Sequence, residues 1–594
     1  MQDHVAILDR FLSAPAATLP SFAGDGRLYF LSDAAGSAQV WELSKDGTAR
    51  ARTAHRDAVS FVAGSPTDGG AVFGRDVAGD ERVQLYALPP EGEACALTAA
   101  PSVMHGWGAF APDGRSVAVT ANARDPAHAD PCIVPLDGGP MRRLREVLGP
   151  HELQAWHPDG GSVLVGSAPR AFESTLTQVF VATGESIPAT PGGEGWRHMN
   201  ARWRKDGAGF WLLTDRGREY LAVAFMAPGG EPRLLHAPDA DVEKLEASPD
   251  GTRLAVVVNL GGWSQLRLLD AETGAVLAEP EHPPGVIQKL TWRPDGRAVA
   301  FDLLQPTRPG TIWTADAAGH ANLLFAAGEA PAGARTWEED SFTGHDGTEI
   351  PTFLIRPEGD PPPDGWPVLI WVHGGPEMQA LPNWRPDLQA FCALGIAVMV
   401  PNIRGSTGYG RAYASLDDRE LRMDSVRDVA SAHAWLSGLP DFDAARIAVM
   451  GQSYGGWMVL MAVTHFPELW AAGVEYYGIA RWKTFFERTG PWRIAHRAAE
   501  YGDPVRDADL LETLSPLHKV DAIRCPLFVA QGLTDPRVPP HESEQIVAAV
   551  KRQGVPVDFL TFPDEGHGFL KRDNRRTAYR GVMAFLARHL LGQA

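Results

Sequence analysis

The first half of the chain repeats one pattern of polar and hydrophobic positions seven times. In each repeat a polar turn precedes short stretches of strand-forming residues, as in "FAPDGRSVAVTAN" and "ASPDGTRLAVVVN". An aspartate marks each turn, and successive aspartates lie 43 to 47 residues apart: Asp25, Asp68, Asp113, Asp159, Asp206, Asp250 and Asp295. Several strands in a repeat of this length are typical of one propeller blade. The pattern therefore predicts a seven-bladed β-propeller rather than an array of β-sandwiches, whose period would vary more.

The hydrophobic pattern changes beyond the Ala- and Gly-rich stretch at residues 326–340. Short apolar segments such as "PVLIWV", "RIAVMG" and "PLFVAQG" then alternate with helical segments such as "MDSVRDVASAHAWLSGL". This alternation predicts a parallel sheet with helices on both faces. At the other end of the chain, Val5, Leu8 and Leu12 have helical spacing. We predict three parts, which are an N-terminal helix over 1–18, the propeller over 19–330 and an α/β domain over 331–594.

Composition narrows the choice of partners and compartment. The 594 residues carry a formal net charge of −19, which argues against nucleic acids and anionic membranes, because both bind basic surfaces. No apolar run has the length of a membrane span, and the acidic residues near the N-terminus do not fit a signal peptide. The four cysteines form no CxxC pair, which predicts free thiols, no metal centre and a cytoplasmic location. A homo-oligomer is left open.

A serine between glycines raises the question of chemistry. In "RIAVMGQSYGGWMVLMAV", Ser453 follows a predicted strand and precedes a predicted helix. This is the context of the G-x-S-x-G nucleophile elbow, in which small residues permit a sharp turn that exposes the hydroxyl. A serine that merely caps the helix would look the same in a chain with 62 glycines. The motif alone therefore does not decide between a nucleophile and a helix cap.

Two later strands supply the partners that a serine nucleophile needs. Asp535 follows "PLFVAQG" and His567 follows "VDFLTF", each just beyond the end of its strand. A helix-capping aspartate and a loop histidine are common singly. The order Ser, Asp, His after successive strands is that of the α/β-hydrolase triad. The joint pattern predicts Ser453, Asp535 and His567 as a catalytic triad.

Acyl transfer also needs donors for the oxyanion of the tetrahedral intermediate. "PVLIWVHGGPEM" ends an early strand with two glycines, where the backbone can approach a substrate closely. We predict that the N–H of Gly375 and the N–H of Tyr454, the residue after the serine, form the oxyanion hole. A plain strand-ending turn is the alternative for the first of these.

Five motifs, together with the preceding propeller, resemble the prolyl oligopeptidase family of serine peptidases: "HGGP", "PNIRGSTGYGRAY", "GQSYGGWM", "DPRVP" and "GHGF". Chain size and the HGGP turn look most like the acylaminoacyl-peptidase branch. The resemblance covers nearly the whole chain and implies a seven-bladed propeller followed by an α/β-hydrolase domain. It implies Ser453 as nucleophile, His567 as general base and Asp535 as its orienting acid. It also implies that the N-terminal helix packs on the hydrolase domain.

The resemblance further implies two groups of substrate-binding residues. Arg537 matches an arginine that holds a substrate carbonyl in relatives, although a surface arginine would fit the same motif. Four aromatic residues occupy the region from which the family builds its S1 pocket, and such a cluster is equally typical of plain core: Trp482, Phe485, Phe486 and Trp492. No metal or organic cofactor is needed for this chemistry.

The expected function is hydrolysis of short peptides through an acyl-enzyme, with release of N-acylated amino acids from peptide N-termini. Folded proteins and long chains should be excluded by the propeller. Carboxylesterase activity, carboxypeptidase-like cleavage and a binding module with an inactive hydrolase domain are the alternatives. Dipeptidyl peptidases hold a free amino terminus with adjacent glutamates on the propeller, and no Glu-Glu pair precedes residue 326. This argues against that branch without excluding other carboxylate arrangements.

Overall fold

The computed structural model describes residues 4–44, 46–170, 172–192 and 195–593. The predicted N-terminal helix over 1–18 therefore begins outside the described residues. Within them, α1 (His4–Leu12) is followed by a propeller and then by a second, α/β domain. The predicted seven-bladed propeller and α/β-hydrolase domain are both confirmed.

The described residues form seven separate four-stranded antiparallel sheets, each built from consecutive strands. The first two blades contain β1 (Ala17–Phe22), β2 (Leu28–Ser32), β3 (Gln39–Leu43), β4 (Ala49–Ala51), β5 (Val59–Gly64), β6 (Ala71–Arg75), β7 (Gln84–Leu88) and β8 (Cys95–Ala96). The next two contain β9 (His105–Phe110), β10 (Ser116–Asp125), β11 (His128–Pro135), β12 (Arg142–Arg143), β13 (His151–Trp156), β14 (Ser162–Arg170), β15 (Glu173–Phe180) and β16 (Ser186–Pro188).

The remaining three blades follow the same plan. They contain β17 (His198–Trp203), β18 (Phe210–Thr214), β19 (Ala222–Met226), β20 (Arg233–His236), β21 (Val242–Ala247), β22 (Arg253–Leu260), β23 (Trp263–Asp270), β24 (Val276–Ala278), β25 (Leu290–Trp292), β26 (Ala298–Gln305), β27 (Arg308–Asp316) and β28 (Ala321–Ala326). First strands of neighbouring blades contact one another, which puts them around the central axis.

The repeated Pro-Asp-Gly turn has a local cause. In the third blade the Asp113 carboxylate accepts the N–H of Arg115 at 2.9 Å, and Gly114 has φ +69°. Asp thus bonds its own turn while Gly adopts a conformation that other residues resist. The turn ends β9 and starts β10, so each copy of the motif begins a new hairpin.

The ring closes by packing between its first and last blades. The N–H of Leu19 donates to the Asp302 carboxylate at 2.9 Å, and the rings of Phe30 and Phe325 lie 5.0 Å apart. No described strand is shared between the two blades. Closure therefore depends on side chains and single hydrogen bonds, a weaker seam than a shared sheet.

The α/β domain is built on an eight-stranded sheet. In spatial order it contains β29 (Glu338–Thr343), β30 (Glu349–Ile355), β32 (Ala397–Pro401), β31 (Trp366–Val372), β33 (Phe442–Gln452), β34 (Ala472–Tyr476), β35 (Leu527–Gly532) and β36 (Val557–Phe562). The first two strands are antiparallel to their neighbours and the other six are parallel. Parallel strands end at one edge of the sheet, which is where the candidate triad residues follow β33, β35 and β36.

Helices cover this sheet and its edge. They are α2 (Pro386–Ala393), α3 (Arg411–Ala414), α4 (Arg422–Ser437), α5 (Tyr454–His465), α6 (Trp482–Arg488), α7 (Pro491–Tyr501), α8 (Ala508–Thr513), α9 (His541–Arg552) and α10 (Arg572–Leu590), with 3₁₀ turns at Arg419–Leu421 and Pro516–Ala522. Among the described helices, none combines the length and apolar character that crossing a bilayer requires. Helix α5 is buried along almost its whole length, as the central helix of the domain.

Helix α1 lies on the α/β domain rather than on the propeller. Its Leu8, Phe11 and Leu12 are buried in the core of that domain, and α1 contacts α2 and α10. The Asp9 carboxylate binds Arg576 at 2.7 Å. The chain therefore starts in the α/β domain, passes through the propeller and returns.

Candidate active site

Ser453 occupies a sharp turn between β33 and α5. Its backbone has φ +58° and ψ −118°, a conformation that a residue with a side chain rarely adopts. The turn is held from both sides, because the Ser453 N–H donates to the Tyr476 carbonyl and the Ser453 carbonyl accepts from Trp457, each at 2.9 Å. Strain that is fixed by surrounding structure is common at functional sites.

The glycines of the motif are needed for close backbone approach. A Cβ on Gly451 would lie 2.2 Å from the Gly455 carbonyl oxygen, and one on Gly455 would lie 2.3 Å from the Val372 oxygen. Each contact is with backbone, which cannot swing aside. The strand, the turn and the start of the helix therefore pack against β31 only with glycine at these positions.

The structure brings Ser453, His567 and Asp535 into one chain of hydrogen bonds. The Ser453 Oγ lies 2.9 Å from His567 Nε2, and His567 Nδ1 lies 2.7 Å from Asp535 Oδ2. The second oxygen, Asp535 Oδ1, accepts the N–H groups of Arg537 at 2.8 Å and Val538 at 3.0 Å. The Asp535 side chain has no exposed surface. Such an arrangement orients the imidazole so that Nε2 can accept the serine proton.

Of the two predicted oxyanion donors, Tyr454 directly follows Ser453, and Gly375 stands in the HGGP turn after β31. Tyr454 is the first residue of α5, and the first N–H groups of a helix have no acceptor within it. The Gly375 N–H makes no hydrogen bond within the described residues. The backbone of Gly374 lies against Ser453, since a Cβ there would be 3.5 Å from the serine Cβ.

A buried charge network that the sequence did not reveal lies beneath this turn. The Arg422 guanidinium binds the carboxylates of Asp417 and Glu500 and donates to the Tyr454 hydroxyl at 3.1 Å. Tyr454 in turn donates to Asp417 at 3.1 Å. Burial, opposed by Arg422, raises the pKa of Asp417 to about 7.

This network also bears on metal binding. Among the described residues, Asp417, Asp418 and Glu500 bring carboxylate oxygens within 4.8 Å of one another, as a cation site would. The Arg422 guanidinium binds two of the three carboxylates. The chain thus supplies its own cation to two of the three carboxylates, which compensates part of their charge.

Tyr501 links the same network to the HGGP turn. Its hydroxyl donates to the Gly375 carbonyl at 3.2 Å, and its ring lies 4.2 Å from that of Trp482. A second tyrosine, Tyr477, has φ +41° and packs its ring 4.6 Å from the His567 ring. Neither tyrosine stands in a motif that marks it, and only the folded chain shows these contacts.

Arg537 reaches across to the propeller. Its guanidinium binds the Glu81 carboxylate, which stands in the loop between β6 and β7. In the same loop Gly79 packs on the catalytic domain, because a Cβ there would be 2.5 Å from the Gly566 nitrogen. The propeller therefore touches the catalytic loop one residue before His567.

A cavity of ≈520 Å³ lies between the two domains at the triad. This catalytic cavity is lined by residues from both domains, including Asp76, Glu81, Glu152, Trp492, Arg537 and His567. A second cavity of ≈710 Å³, the α7 cavity, shares Glu152 and Trp492 with the first. It is also lined by Arg493 and Arg497 of α7. His567 of the triad thus lines a partly open space whose other wall is the propeller.

The four aromatic residues expected at S1 do not lie together in this space. Trp492 lines both cavities, whereas Trp482, Phe485 and Phe486 line neither. Trp482 has no exposed surface and donates to the Leu514 carbonyl at 3.0 Å. Phe485 and Phe486 are buried with it in the core of the domain. These three side chains have the surroundings of core residues.

Comparison with known proteins gives a consistent picture. Residues 382–593 match the model of the prolyl oligopeptidase family. Over 623 aligned residues, 99% of this chain and 88% of the relative, the chain is 27% identical to dipeptidyl aminopeptidase BIII of Pseudoxanthomonas mexicana. It is 26% identical to the acylamino-acid-releasing enzyme of Mus musculus, over 41% of this chain and 34% of that protein.

A solved structure extends the likeness to the whole fold. The puromycin-hydrolyzing peptidase of Mycobacterium tuberculosis superposes with a TM-score of 0.86 at 23% identity, covering 98% of this chain and 96% of that one. The two-domain architecture is therefore shared over nearly the full length. Sequence identity at this level supports a shared fold but does not assign a substrate or an activity to this chain.

Proposed function

Because residues 382–593 match the model of the prolyl oligopeptidase family, we propose that this chain is a serine peptidase that cleaves short peptides and releases N-acylated amino acids from their N-termini. The observation that carries the proposal is the hydrogen-bonded chain from Ser453 through His567 to Asp535, whose His567 lines a cavity between the two domains. We propose short peptides as the substrates. The triad chemistry needs no cofactor.

The roles follow from the geometry. His567 Nε2 takes the proton of the Ser453 hydroxyl as the oxygen attacks the scissile carbonyl, and Asp535 stabilises the imidazolium that forms. The N–H groups of Tyr454 and Gly375 stabilise the oxyanion of the tetrahedral intermediate. His567 then donates its proton to the leaving amine, and water hydrolyses the acyl-enzyme by the same sequence. Arg537 stands beside the cavity to hold a peptide carbonyl, and Trp492 lines the same space.

The preference for a blocked N-terminus is supported by the carboxylates near the triad. Asp76 accepts the N–H of Glu81 at 3.1 Å, and Glu81 is bound by Arg537. Both carboxylates are therefore already partnered within the protein. The likeness to acylamino-acid-releasing enzymes supports the same preference.

One residue favours a second candidate, a dipeptidyl aminopeptidase. Glu152 is exposed to both cavities, and no described residue donates a hydrogen bond to its side chain. A free carboxylate facing the triad suits the ammonium group of an unblocked peptide. The 27% identical relative carries that activity in its name.

Matched substrates decide between the two. Ac-Ala-p-nitroanilide and Ala-Ala-p-nitroanilide are compared for kcat/KM with the wild-type chain and with Glu152→Gln, alongside p-nitrophenyl acetate to measure esterase activity. Preference for the acetylated substrate, unchanged in Glu152→Gln, supports the first proposal. Preference for the dipeptide that falls about tenfold or more in the variant establishes the second. Labelling of Ser453 by a fluorophosphonate separates an active hydrolase from an inactive domain.

The cytoplasm is the proposed location. All four cysteines are free, and three of them are buried. Free thiols are typical of a reducing compartment. A periplasmic or secreted location, shown by fractionation of cells, would contradict the proposal.

A further inference from the structure

The α7 cavity contains a guanidinium that has no hydrogen-bond or ion-pair partner among the described residues. The Arg493 side chain makes no hydrogen bond and no ion pair with any described residue, and its Nε is buried. The residue is half-buried and lines the cavity, so its side chain is neither free in bulk water nor part of the core. An arginine in this position needs an explanation.

The other arginines around the two cavities each have a carboxylate partner. Arg197 pairs with Asp215 at 2.7 Å, Arg497 with Glu377 at 3.6 Å, and Arg537 with Glu81. Arg493 differs from all three although it stands on the same helix as Arg497. His496, between them, adds no charge, because burial and Arg497 lower its pKa to about 4.

An unpaired cation in such a place is unfavourable for the free protein. Burial, together with the nearby Arg497 and Arg537, lowers the pKa of Arg493 to about 10 against the smaller opposing effect of Glu81, so the protonated form is destabilised. A carboxylate entering the cavity would remove this penalty. The planar guanidinium can bind both carboxylate oxygens at once, which makes arginine well suited to such recognition.

We propose that Arg493 forms a subsite for a carboxylate of the bound peptide, an inference that rests on the proposed peptidase function. Glu152 and Trp492 line both cavities, and His567 of the triad lines the catalytic cavity, so a short peptide bound at the triad would reach the α7 cavity past these two residues. The carboxylate comes either from the free C-terminus of the peptide or from an Asp or Glu side chain. Arg493 is thereby a specificity-determining residue, outside the triad and outside the Arg537 contact.

Two substrate pairs test the subsite and separate the two sources. The first pair is Ac-Ala-Ala-Ala with a free carboxylate or with a C-terminal amide. The second is Ac-Ala-Glu-amide against Ac-Ala-Gln-amide. For the pair that supplies the natural group, wild-type kcat/KM should favour the carboxylate by about tenfold to a hundredfold. In Arg493→Gln this ratio should fall to near one, and in Arg493→Lys it should be intermediate, because lysine keeps the charge and loses the bidentate contact.

A matched control is available on the propeller. Arg142 is an exposed arginine on the outer strand of the third blade, and Arg142→Gln removes the same charge far from the cavities. Its ratios should equal those of the wild type. Thermal melting of each variant shows that it is folded. A wild-type ratio near one for both pairs, or equal losses on both members of a pair in Arg493→Gln, overturns the subsite.

A binding experiment distinguishes failure of this inference from failure of the peptidase proposal. Isothermal titration of Ser453→Ala and of Ser453→Ala with Arg493→Gln uses the same peptides without turnover. Tighter binding of the carboxylate forms to the first variant, lost in the second, supports the subsite whatever the hydrolysis result. If the wild type cleaves none of the four peptides, the peptidase proposal fails by itself. Equal affinities in the two variants refute the subsite alone.

Discussion

The charged groups below the serine turn and those above it are organised in opposite ways. Below the turn, Arg422 binds Asp417 and Glu500 at once, and all three side chains are buried. Above it, in the two cavities, Arg493 and Glu152 face the open space without partners among the described residues. Compensated charges fix a geometry, whereas unmatched charges remain available to a ligand. The layer below thus holds the catalytic turn in place, and the cavities above present charged groups to a ligand.

Removing Ser453, which lies between the buried network and the cavities, should have the largest effect on turnover. Ser453→Ala deletes the proposed nucleophile and should reduce turnover of peptides and esters by about a millionfold, as triad serine deletions do. The fold should persist, because the turn is held by backbone hydrogen bonds that alanine retains. Initial rates on Ac-Ala-p-nitroanilide measure the loss.

The control for this change is Ser437→Ala, which alters an exposed serine at the end of α4. It should keep wild-type rates. If Ser453→Ala retains a tenth of the activity, the nucleophile is another residue. The buried network and the cavities would then not flank the catalytic residue.

Disrupting the buried network around Arg422 should have the next largest effect, on both stability and turnover. Arg422→Met leaves two buried carboxylates without their cation and should lower the free energy of unfolding by about 3–5 kcal/mol. Because Tyr454 loses a hydrogen bond, turnover should fall as well. The triple change Arg422→Met, Asp417→Asn and Glu500→Gln should recover part of the stability, since the uncompensated charges are gone. Denaturant titration followed by tryptophan fluorescence measures both.

Arg427→Met is the matched control, because Arg427 lies on the solvent side of the same helix and, among the described residues, forms an ion pair with Asp424 alone. It should change the free energy of unfolding by about 0.5 kcal/mol or less. Similar losses for the two variants would show that the buried network has no special part in stability.

The smallest effect should come from the contact that joins the two walls of the catalytic cavity. Glu81→Gln removes the charge that binds Arg537, and the pair is partly exposed. An ion pair of this kind contributes up to about 1 kcal/mol, so kcat/KM for peptides should change by about fivefold or less. The wild type should approach the variant as salt is raised, because salt screens the pair.

Glu93→Gln removes an exposed glutamate from the same blade and provides the comparison. Its kinetics should match those of the wild type at every salt concentration. A change in Glu81→Gln that is independent of salt would mean that Glu81 acts through shape and not through charge.

The sequence revealed what is encoded locally or by order along the chain. The blades were predictable because Asp and Gly build each turn within a few residues, as at Asp113 and Gly114. The triad members could be named from their positions after successive strands. In contrast, Arg422 and Glu500 are 78 residues apart in the sequence, and only the folded chain brings their side chains together. No local pattern marks such a pair.

The aromatic residues also show that contacts between distant parts of the chain could not be predicted from the sequence. The family resemblance implied four candidates for one pocket, and the fold divides them, since Trp492 lines the cavities while Trp482, Phe485 and Phe486 pack in the core. The proposed role of Arg493 could not be predicted from the sequence, because what distinguishes this arginine is the lack of an ion-pair partner among the described residues. That property belongs to the folded surroundings of a residue and has no signature in the chain.

The placement of α1 has a consequence for the order in which the molecule is made. His4 lies 3.2 Å from Gln593, so the first described helix completes its contacts only when the last residues arrive. A ribosome releases the chain from its N-terminus, and domains form as their segments emerge. The propeller is therefore synthesised in full while the catalytic core still lacks its strands. The segments of the propeller are thus available to fold before the catalytic domain is complete.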